Sequence, residues 1–186
     1  MKYEPLIEDN YYHIYNCGNN KEDIFLEDDN YLYFLSLTKK YLLDVVDILA
    51  YCLMKNHFHF LVKTKENQEQ KKISQAFSNF FNAYAKAFNK KHQRTGGLFK
   101  DRFSRIKISV EAYLKSLVVY IHLNPVHHGF TDNFKTYKYS SFQSLLSKQP
   151  TKLDRSFVLE LFDNEDNLNY VHEQKKIHIS ETYFLE

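Results

Sequence analysis

The chain has 186 residues, a mass of 22.4 kDa, 44% hydrophobic residues and a formal net charge of +2, so it is large and apolar enough to bury the core of one domain and is not a disordered protein. No run approaches the roughly 18 to 20 consecutive apolar residues of a membrane helix, and Met1-Lys2-Tyr3-Glu4-Pro5 lacks the apolar stretch of a signal peptide. These features imply a cytoplasmic protein with no membrane partner. Cys17 and Cys52 are the only cysteines, which excludes a disulfide framework and a structural zinc finger. Only 4 glycines occur, in neither a G-x-G-x-x-G nor a G-x-x-x-x-G-K-[ST] pattern, so a conventional nucleotide enzyme is not expected.

Tyr11 to Cys17 reads as a short strand closed by the turn signal Gly18-Asn19-Asn20. Asp28 and Asp29 then open a helix whose apolar residues recur three and four apart to about Leu43. Asp44 to Met54 and His57 to Lys63 are β-rich runs separated by Lys55-Asn56, which predicts a hairpin pairing two central strands. Glu66 to Lys90 carries Ile73, Phe77, Phe80, Phe81, Tyr84 and Phe88 on one helical face. After the basic loop His92 to Gly97, Leu98 to Ile108 alternates charged and apolar residues as a half-buried strand does. Ser109 is placed to cap a third helix that runs to Leu123 or Asn124, where Pro125 predicts a stop. Tyr137 to Leu146, Arg155 to Phe162 and a short terminal helix complete the reading, with Pro150-Thr151 as a hinge.

This order is βαββαβ with an antiparallel sheet: a ferredoxin-like α+β sandwich with a C-terminal helical extension. The reading divides the chain into a domain of residues 1–148 and an acidic helical extension of 149–186. That fold serves many functions, so function has to come from the site.

Charge is strongly segregated. Residues 1–30 carry two lysines against eight acids, residues 86–107 carry eight cations against Asp101 alone, and residues 151–186 carry four cations against eight acids. A basic block of that density suits a phosphate-binding face, with Lys90, Lys91, Arg94, Lys100, Arg102 and Arg105 as the candidate contacts; a solvated loop explains it as simply. Phe99 and Phe103 alternate with Arg102 and are expected to face the core.

His57 and His59 flank Phe58 on a strand, which points both imidazoles to one face and lets them share a metal, although an isolated H-x-H also fits ordinary core or surface histidines. His127-His128 is weaker, because adjacent residues point apart. Tyr120 and Asn124 stand four apart on the third helix, at the margin of its apolar face. On helix geometry alone a tyrosine there is packing.

The combination says more than its parts. Tyr12-His13-Ile14-Tyr15-Asn16 near the start, Cys52-Leu53-Met54-Lys55-Asn56-His57-Phe58-His59, then Gly97-Leu98-Phe99-Lys100-Asp101-Arg102-Phe103, then Tyr120-Ile121-His122-Leu123-Asn124-Pro125, and finally Tyr139-Ser140-Ser141-Phe142, resemble the single-tyrosine HUH transposases, in particular the bacterial REP-associated tyrosine transposases. The resemblance covers about residues 11 to 146. It implies that Tyr120 is the nucleophile, that His57, His59 and Asn124 bind Mg²⁺ or Mn²⁺ (other divalent metals being tolerated), and that the substrate is single-stranded DNA with REP-like hairpins, cut through a 5′-phosphotyrosine. Cys17 stands where relatives often carry arginine, and His127-His128 precede Gly129 where many read Arg-Ala. Monomer and homodimer both remain open. The other classes consistent with these residues are a relaxase or replication-initiator nuclease, whose motifs generally come in another order, and a non-catalytic nucleic-acid-binding module.

Overall fold

The computed structural model describes residues 4–178. In chain order come β1 (Tyr11–Cys17), α1 (Asp28–Tyr41), β2 (Val46–Met54), β3 (His57–Thr64), α2 (Gln70–Lys91), β4 (Ser104–Ile108) and α3 (Glu111–His127). The short α4 (Phe142–Leu146), α5 (Arg155–Leu161) and α6 (Glu165–His178) follow. The strands form one antiparallel sheet in the order β2-β3-β1-β4, the ferredoxin-like α+β arrangement expected from the element order. The hairpin does not lie centrally, however. β2 is outermost, and β3 shares the centre with β1, because β1 pairs with both β3 and β4.

Side chains alternate across this sheet, and each face has its own core. Tyr12 and Ile14 of β1 and Phe58, Phe60 and Val62 of β3 pack under α1 and α2 with Phe34, Phe77, Phe80 and Tyr84. Leu61 of β3 and Ile108 of β4 instead meet Leu114, Val118 and Ile121 of α3. A bulge at Leu49, between the pairs Ile48↔Val62 and Ala50↔Leu61, reverses the alternation of β2. Ile48 and Leu53 therefore join the first core, while Leu49, Ala50, Cys52 and Met54 join the second.

Three expected boundaries move. The fourth strand begins at Ser104 and not at Leu98: the preceding segment makes one bridge, Gly18↔Phe99, before Asp101 and Arg102 loop into solvent. Phe99 and Phe103 do turn into the first core. Ser109 does not cap α3, whose N-cap is Val110. Pro125 does not stop α3 either. It sits in the last turn, where its missing N–H forgoes a single bond, and the helix runs on to His127 before Gly129, whose φ is +68°, turns the chain away. There Gly129 N–H donates to Val126 O (3.1 Å) and Phe130 N–H to Pro125 O (2.8 Å), a Schellman closure.

The expected apolar stripe on α3 is absent, because Leu114 and every residue from Leu117 to Pro125 are buried. The sheet covers one side, and Phe142, Val158, Phe162 and Leu168 of the later helices cover the other. α6 spans 14 residues and is not short. Among the described residues no helix is long and apolar enough to cross a membrane.

Candidate active site

His57 and His59 leave β3 on the α3 face with their rings 5.3 Å apart and nearly perpendicular. α3 crosses above so that Tyr120 and Asn124, one turn apart, both look down on them. The Tyr120 ring meets His59 edge-on at 5.6 Å, and Asn124 Oδ1 lies 3.2 Å from His57 Nε2. Neither α3 residue stands at a margin: Tyr120 is 7% exposed and Asn124 is fully buried.

A residue of the β2–β3 turn and one of β1 orient the two imidazoles. Asn56 Oδ1 is 2.8 Å from His57 Nδ1, so that nitrogen carries the proton and the Nε2 lone pair faces α3. His59 Nδ1 lies 2.9 Å from Nε2 of His13, its neighbour on β1, and one proton serves both. His59 Nε2 is left buried with no hydrogen-bond partner, as is Asn124 Nδ2. An acceptor thus faces an acceptor between His57 and Asn124, an arrangement satisfied by a cation or by rotation of the amide. Burial pushes the His13 imidazole down to about 3, and burial together with the imidazoles of His13, His57 and His128 holds His59 well below the ordinary histidine range. Both are neutral at pH 7, the protonation state in which imidazole binds metal.

No group of three or more His, Cys, Asp or Glu among the described residues is placed to hold a metal ion. The donors that converge are two imidazole nitrogens and one amide oxygen. The orphaned Nε2 of His59 fits a divalent cation that draws the rest of its shell from water or phosphate oxygen.

Two participants, Asn56 and His13, have no role in the sequence reading, and two more, His127 and His128, stand there only as a weak pair. Asn56 and His13 both lie in stretches that resemble the family, but the place of His13 depends on the β1–β3 register. His127 and His128 both stand beside the site, since the end of α3 carries them to its two sides. His127 lies 6.1 Å from the Tyr120 ring, and His128 lies 4.7 Å from the His57 ring.

The basic block is not gathered at this site. Lys91 pairs with Glu27 (2.8 Å) and Asp29 (3.4 Å), and Arg94 pairs with Glu22, so the acidic amino-terminal segment already neutralises both. Arg105 sits opposite Ile14 and therefore points to the α1/α2 face, its guanidinium 4.5 Å above Phe103. Lys90, Lys100 and Arg102 are exposed. Arg102 and Arg105 line an open groove of about 750 Å³ with Asn16, Ser74, Ser78 and Asn82.

The Tyr139-Ser140-Ser141-Phe142 segment fastens α3 to β2. Tyr51 N–H donates to Ser141 Oγ (2.8 Å), which lies 2.8 Å from His122 Nε2; His122 Nδ1 meets His172 Nε2 at 2.9 Å, and His172 Nδ1 donates to Leu168 O at 2.7 Å.

Comparison with known proteins supplies a family and a matching fold. A family model described as transposase IS200 like matches residues 7–124, a span from just before β1 to Asn124. A Haemophilus influenzae (strain ATCC 51907 / DSM 11121 / KW20 / Rd) protein assigned by name to the REP-associated tyrosine transposases is 29% identical over 139 residues, covering 60% of this chain and 79% of its own. A solved REP-associated tyrosine transposase, determined bound to a REP hairpin, superposes with a TM-score of 0.60 at 17% identity, covering 81% of this chain and 88% of that one. With a family match over more than half its length and a ferredoxin-like sheet that sets a tyrosine helix over an H-x-H strand, the chain belongs to the IS200-like transposases, enzymes that cut and transfer DNA strands.

Proposed function

We propose that this transposase nicks and rejoins single-stranded DNA beside a hairpin, with Tyr120 as the nucleophile. The observation that carries the reading is the convergence of Tyr120 with His57, His59 and Asn124 in one buried cluster between α3 and the sheet. A phenol of ordinary pKa near 10 is a weak nucleophile, so position and charge stabilisation must do most of the acceleration. Packing between the sheet and the buried stretch of α3 restricts the Tyr120 ring, which lies edge-on to His59 and His13. In-line attack of Oη on phosphorus forms a 5′-phosphotyrosine and releases a 3′-hydroxyl, which reverses the step by attacking the same bond. The bond energy stays in the covalent link, in keeping with the absence of a nucleotide-phosphate loop from the sequence.

His57 Nε2, His59 Nε2 and Asn124 Oδ1 would hold Mg²⁺ or Mn²⁺, with Asn56 and His13 fixing the tautomers. Bound there, the cation supplies positive charge to a non-bridging phosphate oxygen as negative charge develops on it. Residues 1–148 contain this machinery; the extension of 149–186 contributes Val158, Phe162 and Leu168 to the cover of α3. The DNA contacts are Lys90, Lys91, Arg94, Lys100, Arg102 and Arg105, with the exposed Lys90, Lys100 and Arg102 foremost. A hairpin substrate is supported by the REP hairpin on the solved structural relative.

The test is covalent capture. Incubation with a labelled single-stranded hairpin and Mg²⁺ or Mn²⁺ should yield a protein–DNA adduct that survives denaturation and vanishes in Tyr120→Phe. Binding without any adduct would reassign the chain as a non-catalytic DNA-binding module.

A further inference from the structure

The attack needs somewhere for the phenol proton to go, and the cluster described so far offers no base for it: the imidazoles of His57 and His59 are assigned to the cation, and His13, whose buried Nδ1 also has no hydrogen-bond partner, accepts the His59 Nδ1–H at Nε2 and so carries its own proton on Nδ1. His127 is the remaining imidazole beside Tyr120. It lies seven residues on, two turns along the same side of α3, with its ring 6.1 Å from the Tyr120 ring at 48°. Its side chain is half-buried, yet Nε2 itself is fully buried and has no hydrogen-bond partner. A buried imidazole nitrogen left unpaired is unfavourable unless something arrives to pair with it. His128, one residue on, is exposed and turned toward His57 and cannot take the same part.

We propose that His127 is the proton acceptor for Tyr120, reached directly or through one water; this rests on the reading of Tyr120 as nucleophile. In the cleavage step the Oη–H bond breaks and its proton passes to His127 Nε2. The Oη–P bond forms, the P–O3′ bond breaks, and the departing 3′-oxygen takes a proton from water on the far side of phosphorus. In rejoining, the imidazolium returns its proton to the leaving phenolate. The groups that face this pair are His128 on the same helix and His13 and His59 beyond Tyr120 on β1 and β3. Burial, then the neighbouring His128, lowers the His127 pKa from its ordinary 6.5, so the imidazole is neutral and able to accept a proton at pH 7.

The test is single-turnover adduct formation on the labelled hairpin with the full chain, comparing wild type, His127→Ala and His127→Gln from pH 5 to 9. A positioned base contributes ~10²–10⁴-fold, and both variants should lose a rate of that order while hairpin affinity stays within about twofold. The acidic limb of the wild-type pH profile should disappear in both, and added imidazole should restore part of the rate to His127→Ala alone. Variants that keep the wild-type rate and profile would overturn the assignment. So would slowed variants that keep the acidic limb and ignore imidazole, since that marks a structural role. If wild type itself forms no adduct, the nucleophile reading falls and this inference falls with it; normal wild-type capture with indifferent His127 variants removes the inference alone.

Discussion

The two faces of the sheet are built from opposite materials. Under α1 and α2 lie Phe34, Phe58, Phe60, Phe77, Phe80, Phe81 and Tyr84, ring against ring, as in the Phe34–Phe80 contact at 4.7 Å. On the α3 side lie His13, His57 and His59 of the sheet, His122 of α3 itself and His172 of α6, all the buried histidines among the described residues. Aromatic burial favours folding and needs no partner for a lone pair. Buried imidazoles oppose it unless each nitrogen is satisfied, and the sheet tolerates them because its other face is so apolar. One strand alternation thus separates stability from chemistry: Phe58 and Phe60 point one way, His57 and His59 the other.

Substitutions on the two faces should therefore fail in opposite ways. The largest effect is expected for His57→Ala or His59→Ala, which should lower hairpin cleavage by at least about 10³-fold, as should a chelator, with binding and thermal midpoint little changed. Full cleavage by the double variant in chelator would remove the metal from the mechanism. On the opposite face Phe34→Ala should cost about 3–5 kcal/mol of stability in denaturant titration while the folded fraction still cleaves. Loss of cleavage from fully folded Phe34→Ala would show that the faces are coupled. Asn56→Ala removes the partner that orients His57 and should weaken metal affinity by about 10–100-fold, read by cation titration of cleavage.

A smaller effect follows from His172, which burial holds at about 4 against an ordinary 6.5. The unfolded chain takes up that proton first. Stability from this group is complete above about pH 6.5 and is lost as pH falls toward 4, with a slope of up to ~1.4 kcal/mol per pH unit. His172→Gln should flatten the stability profile between pH 7 and 5, and parallel curves would show that His172 does not carry the slope. The smallest effect is in salt dependence. Arg102→Ala and Lys100→Ala should each reduce the salt slope of hairpin binding by about 0.7 for a single strand or 0.9 for a duplex stem, and Lys91→Ala by less because acids already neutralise it. Equal slopes in all three would separate the block from the DNA path.

What could be read from the sequence was what local spacing dictates. Period two puts His57 and His59 on one face, a spacing of four puts Tyr120 over Asn124, and YYHIYNC is β1 residue for residue. What could not be read depends on distant partners. The β1–β3 register brings His13 to His59, and the later helices bury α3 on the side expected to face water. Acids some sixty to seventy residues away in sequence neutralise Lys91 and Arg94. Pro125 misled because a proline in the last turn of a helix forfeits little, and the true stop signal was Gly129.

The ladder along β2 carries one further consequence. Its outer side is already occupied: Leu53 N–H donates to Tyr139 O and Ser141 N–H to Tyr51 O, both at 2.9 Å, and Asp154 N–H donates to Ile48 O at 2.9 Å. At the opposite rim β4 is only five residues long, carries Arg105 and Lys107, and has the Lys107 N–H held by Glu4 Oε2 at 3.1 Å. A chain with 15 tyrosines and 16 phenylalanines would otherwise offer two open templates for adding foreign strands. With both rims blunted, so aromatic a sheet presents no long open edge for a foreign strand while its central strands remain committed to the histidine cluster.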